Sequence, residues 1–311
     1  MAEVFFSALG AVATLFLFVL GGFLFAHFKM VKSDFSGQLS GVVFKFFLPA
    51  MLVKMIILDN DMAGVLKSSH LLIICTVIVV AGLPLGHLVS RLMRGKIEKA
   101  PSAFACMFPN YIFMGMPVIL ALYGTEASAA LAVYSLPIGL LVSSLGYAVL
   151  ASSGGFRWRA LFTPCTVSIL IGFAWLALGI PVPKFVSNVL TTASGVVSPM
   201  AMFQVGLVIG SFDAKSFTSL KSTFVMSLVR LIALPCVVAL VLGLLGFTGS
   251  DLCVPVMISA MPVAANMALT AGAIGRHEDI SAQLVFLSTV MSLVTIPVMA
   301  VVTELLQRVF A

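Results

Sequence analysis

The stretch FPNYIFMGMP (108–117) sets a polar Asn110 between Pro109 and Pro117, with Gly115 close by, inside an apolar run. Each proline removes a backbone donor and crowds the preceding turn, so a helix that enters this stretch must break. A second stretch, AMPVAANMALTAG (260–272), repeats the pattern with Pro262 and Asn266. Unwound backbone exposes N–H groups and helix N-termini, whose positive dipole ends favour anions. The amides of Asn110 and Asn266 would bond a solute or cap the opened backbone; for either stretch alone, a proline kink with an Asn gluing neighbouring helices is the competing reading. Three basic residues also fall inside apolar runs. Arg230 is the deepest, about eight residues in, and would pair either with carbonyls freed by a broken helix or with a carboxylate solute. Lys45 stands near the end of its run and is expected to snorkel. Lys54, near the other end of the same run, would snorkel as well; alternatively, because it lies five residues after Pro49 and Gln204 five after Pro199, this pair could face the break. No Asp or Glu interrupts the middle of a run, which argues against a carboxylate proton relay and for an anionic solute.

These residues need a scaffold, and composition names its solvent. Of 311 residues 61% are hydrophobic and 9% charged, against about 25% charged in a soluble domain, and the mean hydropathy is +1.20. The chain reads as an all-α integral membrane protein in a lipid bilayer. Its net charge of +6 is scattered at the ends of apolar runs rather than drawn into a stripe, so no nucleic-acid partner is expected. About 20 apolar residues cross a bilayer. On that measure ten segments stand out, at roughly 5–27, 39–58, 69–92, 101–122, 127–150, 162–181, 186–211, 218–246, 251–273 and 280–305. The odd-numbered connections carry eleven Lys and Arg, among them Arg157, Arg159 and Lys215; the even connections and both termini carry three. That asymmetry puts the odd connections in the cytoplasm and both termini outside. The five cysteines form no CxxC and no Cys/His cluster, so they read as small buried hydrophobes and no cofactor or metal is expected.

The chain also repeats itself. Pro49 and Pro199 stand 150 apart, Pro84 and Pro235 151, Gly124 and Gly275 151, and Pro109 and Pro262 153. SAALAVYS (128–135) matches SAQLVFLS (281–288) at an offset of 153. Two halves of five spans follow, 1–155 and 156–311. Because five is odd, the second half enters the membrane inverted, the plan of secondary transporters, in which paired interruptions mark the binding site. Gly82/Gly86 and Gly206/Gly210 are spaced for close helix contact.

At this point the chain resembles the auxin efflux carrier family, which includes bacterial malonate and malate permease-like proteins. The residues that carry the resemblance are Asn110, Gly115 and Pro117 in NYIFMGMP, Pro49 and Ala50 in FFLPAML, Pro199 and Gly206 in PMAMFQVG, and the spacing of Pro262 to Asn266. The resemblance implies a ten-span fold like those of sodium–proton antiporters and bile-acid carriers. It implies that spans 1, 2, 6 and 7 form a scaffold, that spans 3–5 and 8–10 form a mobile elevator domain, and that the protein is a homodimer in a bacterial cytoplasmic (inner) membrane. The substrate site would draw on Asn110, Gly115, Pro117, Pro262, Asn266, Gln204, Arg230 and Lys54, at a crossover of helices broken by Pro109, Pro117 and Pro262. The expected function is secondary transport of a small organic anion, malonate or a similar mono- or dicarboxylate, with proton, sodium or no coupling. The alternatives are a lipid-modifying intramembrane enzyme, for which no Ser/His or Cys/His pairing is found, and a sodium-coupled symporter of the bile-acid type.

Overall fold

The computed structural model describes residues 2–32, 34–152, 162–211 and 220–310. Arg157, Arg159, Lys215 and the boundary expected between the halves at 155/156 lie outside them. Among the described residues the chain is helical: α1 (Ala2–His27), α2 (Phe35–Ile57), α3 (Met62–Lys67), α4 (Leu71–Leu92), α5 (Lys99–Met107), α6 (Tyr111–Tyr123), α7 (Ser128–Ala151), α8 (Pro164–Leu178), α9 (Lys184–Ser211), α10 (Lys221–Leu244), α11 (Gly249–Ser259), α12 (Asn266–Ile274) and α13 (Glu278–Phe310). Seven of these, α1, α2, α4, α7, α9, α10 and α13, are long and apolar enough to cross a bilayer. The shorter apolar helices α6, α8 and α11 fall in the fourth, sixth and ninth expected segments.

Local chemistry sets several helix ends. Thr163 caps α8, its hydroxyl accepting the Thr166 N–H, with Pro164 in the first turn, where a missing N–H costs nothing. Asp61 caps α3 through the Gly64 N–H. Large apolar side chains such as Phe6, Ile73, Leu240 and Val294 point outward and exposed, as lipid-facing surfaces require.

With no hydrophobic drive between helices in lipid, close backbone packing holds them together. Helix α1 packs on α9, α2 on α8 and α9, and α4 on α5 and α7; α10 packs on α11 and α13, and α12 on α13. The glycine pairs are the contact points. A Cβ on Gly206 would overlap the Val19 carbonyl, one on Gly22 the Phe203 carbonyl, and one on Gly210 would lie 2.6 Å from the Phe23 oxygen. Gly82 and Gly86 seat the α5 backbone on α4 in the same way, with Ala103 Cα 2.5 Å from a Cβ on Gly86. Because backbone cannot swing aside, Gly206→Ala should destabilise by about 1–3 kcal/mol. Gly195→Ala, in the same helix but with open space around it, should be neutral or stabilise by roughly 0.5–1 kcal/mol. Melting temperatures of the two purified variants check this; equal shifts would contradict it.

Candidate functional site

Helices α5 and α6 are two halves of one interrupted segment, and so are α11 and α12. The interruptions meet. Residues 108–110 and 262–264 lie antiparallel, with a β-bridge between Pro109 and Val263. The Asn110 N–H donates to the Pro262 carbonyl at 2.8 Å, and the Ala264 N–H to the Phe108 carbonyl at 3.0 Å. Pro109 therefore occupies a non-hydrogen-bonded pair, where the ladder asks for no N–H. On its other side the Val263 N–H donates to Ser288 Oγ on α13 at 3.1 Å. The carbonyls left free at the ends of the first halves are met by one side chain. Arg230 on α10 donates from Nη1 to the Cys106 carbonyl at 2.9 Å and from Nε to the Met261 carbonyl at 3.2 Å.

Three prolines shape the surrounding helices in one way. A proline ring collides with the carbonyl four residues back, and a π turn relieves the collision by widening the helix. Such turns precede Pro49 (Val43–Phe47), Pro117 (Tyr111–Gly115) and Pro235 (Val229–Ala233), each closed by an N–H bonded five residues back: Leu48 to Val43, Met116 to Tyr111, Leu234 to Val229. Lys45, Tyr111 and Arg230 all sit on these turns. One extra residue per turn rotates the upstream face by roughly 100° relative to a straight helix.

A cavity of about 300 Å³ lies against the crossing, walled by Phe44, Lys45 and Leu48 of α2, Pro109 to Phe113, Gly139 and Val142 of α7, Thr163 to Cys165, and Ala264 to Asn266. Its wall is apolar apart from Lys45, Asn110, Tyr111, Thr163, Cys165 and Asn266. Lys45 and Pro164, its exposed members, mark the mouth, on the side from which α2 and α8 start. Helices α6 and α12 present their N-termini here, and neither has a side-chain cap. Asn110 is 4% exposed, and Asn266 Oδ1 is buried with no hydrogen-bond partner among the described residues.

Of the expected site residues, Pro109, Asn110 and Asn266 come together on the cavity. Pro262 stands behind it, giving its carbonyl to Asn110. Gly115 and Pro117 do not line it: Gly115 closes the π turn onto the Asn110 carbonyl (3.0 Å) and leaves room for Met261, and Pro117 follows in α6. Gln204 is buried in α9, away from the cavity. Lys54 does not line the cavity either; Asp59 reaches back five residues and holds its Nζ with both carboxylate oxygens at 2.7 Å. Arg230 is 1% exposed and turned to the carbonyls, not the cavity. Lys45, expected to snorkel, lines the cavity mouth. Its signal was Pro49 four residues on, which forces the π turn that carries Lys45 to the cavity mouth.

A profile described as membrane transport protein matches the chain over residues 7–155 and again over 148–300. The chain belongs to this membrane transport protein family, that of the auxin efflux carriers. The double match accords with two inverted repeats. A relative from Methanothermobacter thermautotrophicus named as an uncharacterized transporter is 26% identical over 306 residues, covering 96% of this chain and 99% of its own. The protein is thus an integral membrane member of a transporter family.

Ser288→Ala should orphan the Val263 N–H and cost about 1–3 kcal/mol. Ser292→Ala, whose hydroxyl bonds only the Thr289 carbonyl of its own helix, should cost about 1 kcal/mol or less. A difference in melting temperature between the two checks the backbone account of the break; none would contradict it.

Proposed function

We propose that the protein is a secondary carrier of a small organic anion, which binds in the cavity between the N-termini of α6 and α12. One observation carries this reading: two helix N-termini and the side chains of Asn110 and Asn266 converge on one cavity, with Lys45 at its mouth and no Asp or Glu among its lining residues. Helix N-termini and amide N–H groups stabilise a carboxylate without needing a full positive charge. The apolar wall, with Phe44, Phe113, Leu48 and Val142, suits the body of the solute. A monocarboxylate with an apolar body satisfies this lining better than malonate, whose second carboxylate would face hydrocarbon. Cys165 and Thr163 have no His, Asp or Glu beside them in the lining, so the cavity offers no nucleophile with a base, and a carrier needs none.

The cavity wall is shared between α2 and α8 on one side and α6, α7 and the crossing on the other. In the proposed cycle α1, α2, α8 and α9 stay fixed, as the scaffold of a homodimer in a cytoplasmic membrane. The two broken helices with α4, α7, α10 and α13 slide as an elevator and carry the site across by alternating access. Both termini are placed outside, so the cavity mouth faces the cytoplasm.

The test of the site is binding. Malonate and phenylacetate, titrated into purified protein, should raise its melting temperature, since a ligand of the folded state stabilises it by mass action. Asn110→Ala and Asn266→Ala should each weaken that response roughly ten- to 150-fold in concentration, the range for a hydrogen bond to a charged group (about 1.5–3 kcal/mol). Lys45→Gln should weaken it by no more than about fivefold, because an exposed charge is worth up to about 1 kcal/mol. Unchanged responses in both Asn variants would make the crossing purely structural. For orientation, single cysteines replacing Gly95 and Lys184 in a cysteine-free background should label from opposite sides of sealed vesicles; labelling of both from one side would refute the span map.

A further inference from the structure

Arg230 is the largest fully buried side chain among the described residues, and a fully buried arginine calls for a counter-charge. Among the described residues no carboxylate meets it; its hydrogen-bond partners are the Cys106 and Met261 carbonyls, and Nη2 has none. Those two carbonyls are not ordinary acceptors. Cys106 lies in the last turn of α5 and Met261 two residues past the end of α11, so both stand at the C-terminal ends of the first halves of the broken helices. Each helix C-terminus carries about half a negative charge, so two converging ends amount to roughly one, which a single guanidinium neutralises. The fork of the guanidinium also spans two acceptors from different helices, which a lysine ammonium does less well. In carriers with broken helices, unwound carbonyls and half-helix C-termini are the places where a coupling sodium ion is held. Here a covalently attached cation already holds them.

We propose that Arg230 is the resident cation of the crossing, bonded to the carbonyl ends that a coupling sodium ion would otherwise take, so that the carrier needs no sodium there. The crossing then separates its dipole ends. Negative ends face Arg230 on α10, and positive ends face the cavity. Arg230 is a positioning residue: it holds the two breaks in register and leaves the solute to the Asn amides. The statement about coupling rests on the carrier reading; the statement about which cation fills the carbonyl ends does not.

The experiment uses melting temperature as a readout that requires no substrate. Wild-type protein in detergent should melt within about one degree in sodium chloride and in choline chloride at equal ionic strength. R230A should melt lower, and sodium or methylguanidinium should raise it relative to choline as each enters the vacated place. R230K should recover most of the wild-type value and be indifferent to added cation; R230Q, similar in size but neutral, should not recover it. Stabilisation of the wild type by sodium over choline would overturn the proposal. So would an R230A protein indifferent to both sodium and methylguanidinium, or an R230Q protein that melts like the wild type. Should R230A not accumulate, the R230K and R230Q comparison and the wild-type sodium arm still decide. A malonate or phenylacetate exchange assay then addresses coupling: equal rates in sodium and choline are expected, and a sodium requirement contradicts the proposal. Exchange of neither anion would count against the carrier reading and leave the melting arms to judge Arg230.

Discussion

Hydrocarbon offers no water to an unpaired N–H or carbonyl, and a helix broken in mid-membrane creates both. The structure meets this constraint by breaking two helices at the same depth and pairing the breaks with each other. Residues 108–110 and 262–264 exchange two backbone hydrogen bonds, Ser288 takes the outward N–H of Val263, and prolines stand where no N–H is wanted. Much of the surrounding arrangement follows. The inverted repeat is what brings two interruptions to one point. The glycine contacts of α4 with α5 and of α1 with α9 let the helices approach closely enough to hold that point in place.

Breaking both helices has an electrostatic result as well as a steric one. Each interruption creates a C-terminal end and an N-terminal end within a few residues. If both kinds of end faced one cavity, their dipoles would cancel and the site would attract nothing. The crossing sends the carbonyl ends of α5 and α11 to Arg230 and leaves the N–H ends of α6 and α12 at the cavity. In the proposed carrier, charge selectivity would come from backbone geometry, with Lys45 at the mouth adding a weaker, water-screened attraction.

Much of this was legible in the residues. Proline and glycine offsets near 150 reported two inverted halves, and the Pro/Asn pairs at 109–110 and 262–266 marked where the helices would open. Arg230 was legible only as a pair of alternatives, freed carbonyls or solute, because a sequence does not say which side of a crossing a side chain faces. Lys45 and Lys54, both expected to snorkel with Lys54 alternatively facing the break, differ in the structure for local reasons. The π turn before Pro49 turns Lys45 toward the cavity, while Asp59, five residues beyond Lys54, takes that lysine at the far end of the helix. The first effect arises from a turn that departs from 3.6 residues and the second from the chain's path just beyond the helix end, so a helical-wheel reading misses both.

The central claim is that an organic anion binds at the crossing and is carried across unchanged. Counterflow in sealed proteoliposomes tests it most directly. Vesicles loaded with unlabelled carboxylate are diluted into labelled carboxylate, and both label uptake and the chemical identity of the label are followed. The account predicts transient accumulation of intact label above that of protein-free vesicles, at least for phenylacetate. Chemical conversion of the label, or accumulation of neutral analogues but of no carboxylate, would contradict it.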